Sequence, residues 1–164
     1  MSVNKTPRFG RLLAKSKGDP PQTIAQHTEA VMNCAEAIWS VTGSIQLRAA
    51  GLDPELWGPR FLRDLKLASL IHDLGKANDH FQEMIHAARQ GHRLLTQQGY
   101  RHETVSYLLI KKKTELRQWL LGGFQQDEEP TKSLEILLWA IAGHHRKFPP
   151  DEELEDGTGE TLTV

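Results

Sequence analysis

A single cysteine, Cys34, stands among the 164 residues, so no intramolecular disulfide can form and the chain fits a reducing compartment. Charge of one sign is also lacking: the net value is −1, which removes any global electrostatic signature of nucleic-acid binding. A positive patch must therefore be local, and Arg8/Arg11/Lys15/Lys17, Lys111-Lys112-Lys113 and Arg146/Lys147 are the candidates. No apolar run approaches the roughly 20 residues needed to span a bilayer, and the N-terminus has no apolar signal-peptide segment. The expected chain is soluble and cytoplasmic, with no membrane partner. No stretch alternates with a period of two, no Asn-Gly turn occurs, and no internal repeat is visible, so β structure should be minor. What remains is one domain of ordinary size, long enough to bury roughly two-thirds of its unfolded surface.

What is present reads as helices joined by loops. Residues 1–21 form a basic segment ending in Gly18-Asp19-Pro20-Pro21, which stops regular structure and delivers the chain to a helix start. Thr23 is a natural N-cap, after which Ile24, Val31, Ala35, Ile38 and Val41 keep helical spacing up to Gly43, with His27 on the same stripe. A second helix is expected from about Pro59, turning Leu62, Leu65, Ala68 and Ile71 inward and closing at His72-Asp73 before a terminating Gly75. Asn78 caps a third helix with Phe81, Met84, Ile85 and Ala88. Gly91 and Gly99 bracket a loop, and a fourth helix carries His102, Val105, Leu108 and Leu109. A short amphipathic piece spans Trp119 to Leu121, and a last helix runs from about Thr131 through Leu134, Leu137, Leu138 and Ile141 to Gly143. Residues 22–148 make up the domain, and 149–164 read as an acidic, Gly- and Thr-rich loop or tail.

The chemistry concentrates at Leu70-Ile71-His72-Asp73-Leu74-Gly75-Lys76. An adjacent imidazole and carboxylate are an unusual end for an apolar helix, and they make sense as metal ligands. With Gln26-His27-Thr28, Arg101-His102-Glu103 and Gly143-His144-His145-Arg146, the chain offers five histidines and one aspartate on four segments. That is the inventory of a two-metal hydrolase. Imidazole with carboxylate suits Mn, Fe, Ni or Zn, whereas Ca and Mg prefer all-oxygen shells, so Mg is the less suitable cofactor. Asp73 has two oxygens with which to bridge ions about 3.5–4 Å apart, and Lys76 can stabilise charge building on phosphate oxygens. Because Asp73 closes a helix rather than filling a core, Asp73→Ala is expected to leave the helices intact.

Each residue also has a plainer reading. A lone His27 on an apolar face is more often a hydrogen-bonded core histidine, and His72-Asp73 alone can be a helix cap paired with a charge. His92 competes with His102. His144 and His145 point roughly 100° apart on a helix, so both can be ligands only if the helix ends there or the metals straddle it. His80 and His86 read as surface residues, Cys34 as a small core residue, and the Trp39, Trp57, Trp119 and Trp139 set as core rather than a base-stacking platform.

The ordered set His27, His72-Asp73-x-x-Lys76, His102 and His144-His145 resembles the HD superfamily of metal-dependent phosphohydrolases. With Phe81-Gln82 and Arg101-His102-Glu103 it looks, more narrowly, like the HD nuclease domain of CRISPR type I systems, over about residues 20 to 148. The resemblance implies an all-α helical bundle with a metal cleft between helices, and cleavage of single-stranded DNA alongside a helicase and a surveillance (effector) complex. It implies one ion on His27, His72, Asp73 and a distal aspartate, and a second on Asp73, His102, His144 and His145, with Asp73 and Lys76 in the catalytic centre. Lys76, Arg146 and Lys147 would contact the nucleic-acid backbone. Asp151 and Asp156 are the only aspartates after His145, in a segment without helical pattern, so the chain is expected to stop before the family's last motif. Two other classes stay open. One is a phosphohydrolase of small nucleotides, whose pocket should hold groups that pin a base. The other is a catalytically incomplete module that docks a helicase or effector complex.

Overall fold

The computed structural model describes residues 11–92 and 101–145, together with the backbone of 154–155 and 161–162. The expected all-α architecture is found. The described chain comprises α1 (Ile24–Ala49), α2 (Pro54–Ile71), a 3-10 turn (Leu74–Ala77), α3 (Asp79–Arg89), α4 (His102–Lys112), α5 (Thr114–Gly122) and α6 (Pro130–Gly143). Two-residue strands, β1 (Leu154–Glu155) and β2 (Thr161–Leu162), pair antiparallel within the segment expected to be a loop.

Thr23 caps α1 through a reciprocal box: its side chain accepts from Gln26 N–H, and Gln26 Oε1 accepts from Thr23 N–H at 3.0 Å. The helix does not stop at Gly43. A side chain at Gly43 would lie 2.6 Å from the Trp39 ring, so glycine is there to accept that ring, and the chain turns only at Gly51, with φ +73°. The second helix likewise starts earlier than Pro59. Asp53 Oδ1 accepts from Glu55 N–H and Pro54 takes the first turn, which together are a better start than a lone proline. Pro59 then sits inside α2, where its missing N–H removes one ladder bond.

The main core gathers Ile71 from α2, Ile110 from α4, Leu120 and Phe124 from α5 and the turn after it, and Leu134, Leu137, Leu138 and Ile141 from α6. The α6 residues recur at helical spacing, as expected. A smaller cluster of Leu13, Phe81 and Ile85 draws residues 11–14 of the basic segment against α3. Between these clusters lies the 3-10 turn. Arg63 of α2 grips Asp127 in the turn before α6 with two hydrogen bonds of 2.7 and 2.9 Å, and Ser133 Oγ donates to the same carboxylate at 2.5 Å. This ties the start of α6 to α2.

Several side chains depart from the apolar pattern. Ile38 and Val41 of α1 are exposed, while Gly43 and Leu47 carry its burial. In α4 the buried face is Glu103, Ser106 and Ile110, so Val105, Leu108 and Leu109 are only half-buried. Cys34 is exposed, and so are Trp119 and Trp139. Trp39 is half-buried in a stack on Phe61 with an interplanar angle of 4°. Cores are filled by whichever stripe the neighbouring helices cover, and α1 is covered on one narrow side only. Among the described residues no helix is long and apolar enough to cross a membrane.

Candidate metal centre

Asp73 is buried, not displayed at a helix end, and four histidines surround its carboxylate. Oδ2 lies 3.1 Å from His27 Nε2, 3.2 Å from His72 Nε2 and 2.6 Å from Lys76 Nζ. Oδ1 lies 3.1 Å from His102 Nε2 and 3.7 Å from His144 Nε2. His145 completes the ring system, its centroid 4.8 Å from that of His102 and 4.2 Å from that of His144. Two groups of potential ligand atoms result, each spanning no more than 4.8 Å: His27, His72 and Asp73 in one, and Asp73, His102, His144 and His145 in the other. Asp73 alone belongs to both. The distal aspartate is not among the described residues, since Asp151 and Asp156 lie outside them, as do Arg146 and Lys147. His92 is not in either group.

Local structure explains how the rings are aimed. His72 is the C-cap of α2 and His144 the C-cap of α6, where helix carbonyls lack intrahelical donors. His72 Nδ1–H donates to Ser69 O at 2.8 Å and His144 Nδ1–H to Ile141 O at 2.6 Å. Each bond fixes the tautomer that leaves Nε2 free to face Asp73. α6 ends at Gly143 with His144 still in αR conformation as its C-cap, and His144 and His145 both belong to the group around Asp73 and His102. His102 Nδ1 faces Glu103 Oε2 at 3.6 Å, and Glu103 Oε1 is paired with Arg101 Nε.

The donor atoms fit a cation better than they fit one another. Asp73 Oδ1 and His102 Nε2 are both buried, lie 3.1 Å apart, and still have no hydrogen-bond partner. A buried, unsatisfied acceptor and an imidazole nitrogen converging in this way are what a divalent ion satisfies.

Charge is arranged to suit. Burial pushes the Asp73 carboxyl up, but the nearby His102, His144, His72 and Lys76 side chains override it and hold the group far below the usual carboxylate range. Burial lowers His27, and Lys76 and Lys15 add to the effect against the pull of Asp73. Burial, His144 and His102 lower His145. His144 goes the other way: burial lowers it, and Asp73 and the Ile141 carbonyl outweigh that and raise it.

Some functional neighbours were not legible as such. Lys15, in the basic segment, acts electrostatically on His27. Gln82 is fully buried; its Oε1 accepts from Leu13 N–H at 2.9 Å while Nε2 donates to Leu13 O at 2.9 Å and Lys76 O at 2.7 Å, tying residue 13 to the turn that bears the aspartate. Ser106 bonds both the turn and α4. Its spacing of one helical turn from His102 was the available signal. Gly75 is not a terminator by backbone conformation: a side chain there would lie 2.0 Å from His102 O, so glycine permits the turn and α4 to touch. His80 is half-buried rather than on the surface, its Nε2 without a hydrogen bond.

Comparison with known proteins agrees with the geometry. The model of the family described as "Cas3, HD domain" matches residues 13–163. A protein of Myxococcus xanthus (strain DK1622), whose provisional name is CRISPR-associated nuclease/helicase Cas3, is 37% identical over 159 residues, covering 94% of this chain and 20% of the relative. The chain thus spans about a fifth of the length of that curated relative. No solved structure matches. Metal-ligand geometry, helical architecture and sequence likeness converge: the chain belongs to the Cas3 HD domain family.

Proposed function

We propose that this domain is a metal-dependent nuclease that hydrolyses phosphodiester bonds of single-stranded DNA in CRISPR-mediated antiviral interference. The observation that carries the reading is the position of Asp73, whose two oxygens face different sets of histidines. His27, His72 and Asp73, with the distal aspartate that the resemblance implies, would hold one ion, and Asp73, His102, His144 and His145 would hold the other. The imidazole-rich sets favour Mn, Fe, Ni or Zn over Mg. Divalent ions bound there would activate the attacking water and offset the charge on the leaving ester oxygen.

The remaining steps fall to side chains. Lys76 Nζ donates to Asp73 Oδ2, holding the carboxylate so that its two oxygens face the two histidine sets. Its positive charge also favours the phosphate oxygens as negative charge builds on them. The Nδ1–H bonds of His72 and His144 to backbone carbonyls aim Nε2 of each ring at Asp73. Arg146 and Lys147, directly after His145, are assigned to the DNA backbone, because a near-neutral chain must attract phosphate locally. A helicase and a surveillance complex are the proposed partners, supported by the nuclease/helicase name of the relative.

The test is cleavage of circular single-stranded DNA by the purified chain, with Mn or Ni and then with chelator. Metal-dependent nicking that vanishes in Asp73→Asn supports the reading. Hydrolysis of mononucleotides with no action on the circle would move the domain to the small-nucleotide phosphohydrolases.

A further inference from the structure

One hydroxyl joins the two ligand sets from beneath. Ser106 is fully buried, one turn along α4 from His102. Its Oγ accepts the Gly75 N–H at 2.8 Å and stands 2.9 Å from His72 O and 3.0 Å from His102 O. A hydroxyl has one proton, so it donates to one of these two carbonyls at a time and holds both within reach. The backbones here are as close as sterics allow: a Cβ on Gly75 would fall 2.0 Å from His102 O and 2.8 Å from Ser106 N. His72 belongs to the His27 set alone, and His102 to the His144-His145 set alone. Ser106 therefore touches the main chain of one ligand from each set.

We infer that Ser106 is a positioning residue whose hydroxyl fixes the separation of His72 from His102, and so the register between the two metal sites flanking Asp73. The inference rests on the two-ion reading above. Nothing in it requires Ser106 to meet metal or substrate. Without Oγ, the Gly75 N–H loses its partner inside a packed junction, and α4 is free to shift against the turn. Each set keeps its own side chains, but their mutual spacing is no longer held.

Manganese paramagnetic resonance on the full chain reads that spacing directly. Two manganese ions sharing a carboxylate are exchange-coupled, whereas separated ions give the hyperfine pattern of isolated Mn. Wild type at saturating Mn should show the coupled signal. Ser133→Ala, which removes another buried hydroxyl that bonds Asp127 and Arg60 away from the ligands, should keep it. Ser106→Ala should lose it at equal bound manganese and give the hyperfine pattern of isolated ions instead. Ser106→Thr, which retains the hydroxyl, should restore it. If Ser106→Ala does not fold, Ser106→Cys, with a weaker donor of similar size, carries the same comparison. A wild-type coupled signal in the Ala or Cys variant, or equal loss in Ser133→Ala, overturns the inference alone. An uncoupled wild type overturns the two-ion reading and the inference with it.

Discussion

His72 and His144 occupy the same position, the C-cap, on two different helices, and each donates Nδ1–H to the carbonyl three residues back. A helix end supplies orphan carbonyls, and a histidine placed there acquires a fixed tautomer with Nε2 pointing outward. The two helices thereby present Nε2 atoms to the two oxygens of Asp73, with ring centroids 5.2 Å apart.

His27, His144 and His145 differ in how readily they hold a proton. His144 is raised above its ordinary value, while His27 and His145 are lowered. At pH 6.5 the metal-free protein should be more than half protonated at His144 and less than half at His27 and His145. Ions need neutral imidazole, so Mn binding should release protons at that pH and fewer as pH rises past the raised value. Calorimetry in buffers of different ionisation enthalpy measures the number. Proton-free binding at pH 6.5 would contradict the assignment of His144. The sign for stability is opposite: a raised group stabilises the metal-free fold below its unfolded value, and that contribution fades as pH climbs through the folded one.

Glu103 is the next test. It is buried, faces His102 Nδ1 and is anchored by Arg101. Carboxylates behind a metal-bound histidine orient it and raise its basicity, and their loss costs about 10–100-fold in metal affinity. Glu103→Gln should show that weakening at the set containing His102 by Mn titration, with circular dichroism unchanged. Wild-type affinity would reduce Glu103 to a partner of Arg101.

Asp73→Ala should be felt in the fold as well as the site. The carboxylate is buried against Lys76, so removing it strands an ammonium with little access to water. Breaking such a pair on one side costs about 3–5 kcal/mol. Urea unfolding of the metal-free variant should show that loss, and Lys76→Met added to it should recover much of it. An Asp73→Ala variant as stable as wild type would mean that Lys76 finds another partner.

How much of this was legible divides along physical lines. Caps at Thr23 and Asn78, the α6 stripe and the six candidate ligand residues that gather around Asp73 are local patterns or chemical types, legible in sequence. The Asp53-Pro54 start was hidden behind a second proline, Pro59, that looked like the same signal. Gly75 read as a terminator because sequence does not reveal which backbone will press against it. Exposed Trp139 and buried Gln82 depend on what neighbouring helices cover. That is tertiary information.

Asp127 gives a pH test away from the ligands. Its carboxyl is held low, first by Arg63 and also by Ser133 and Arg60 against the opposing effect of burial. A depressed carboxyl stabilises fully above its unfolded value, about 3.9, and loses that contribution as pH falls through the folded one. Asp127→Asn should destabilise by about 2 kcal/mol at neutral pH, the worth of a hydrogen bond to a charged group, and less in acid. Urea midpoints at pH 7 and pH 3 compare the two; a penalty constant over that range would show that charge is not the cause.

The central claim is that Asp73 bridges two ions. Anomalous diffraction from a manganese-soaked crystal of the full chain tests it most directly. Two peaks should flank the Asp73 carboxylate, one bonded to His27 and His72 and the other to His102, His144 and His145. A single peak on one side, or a manganese-saturated crystal with no peak at Asp73, would contradict it.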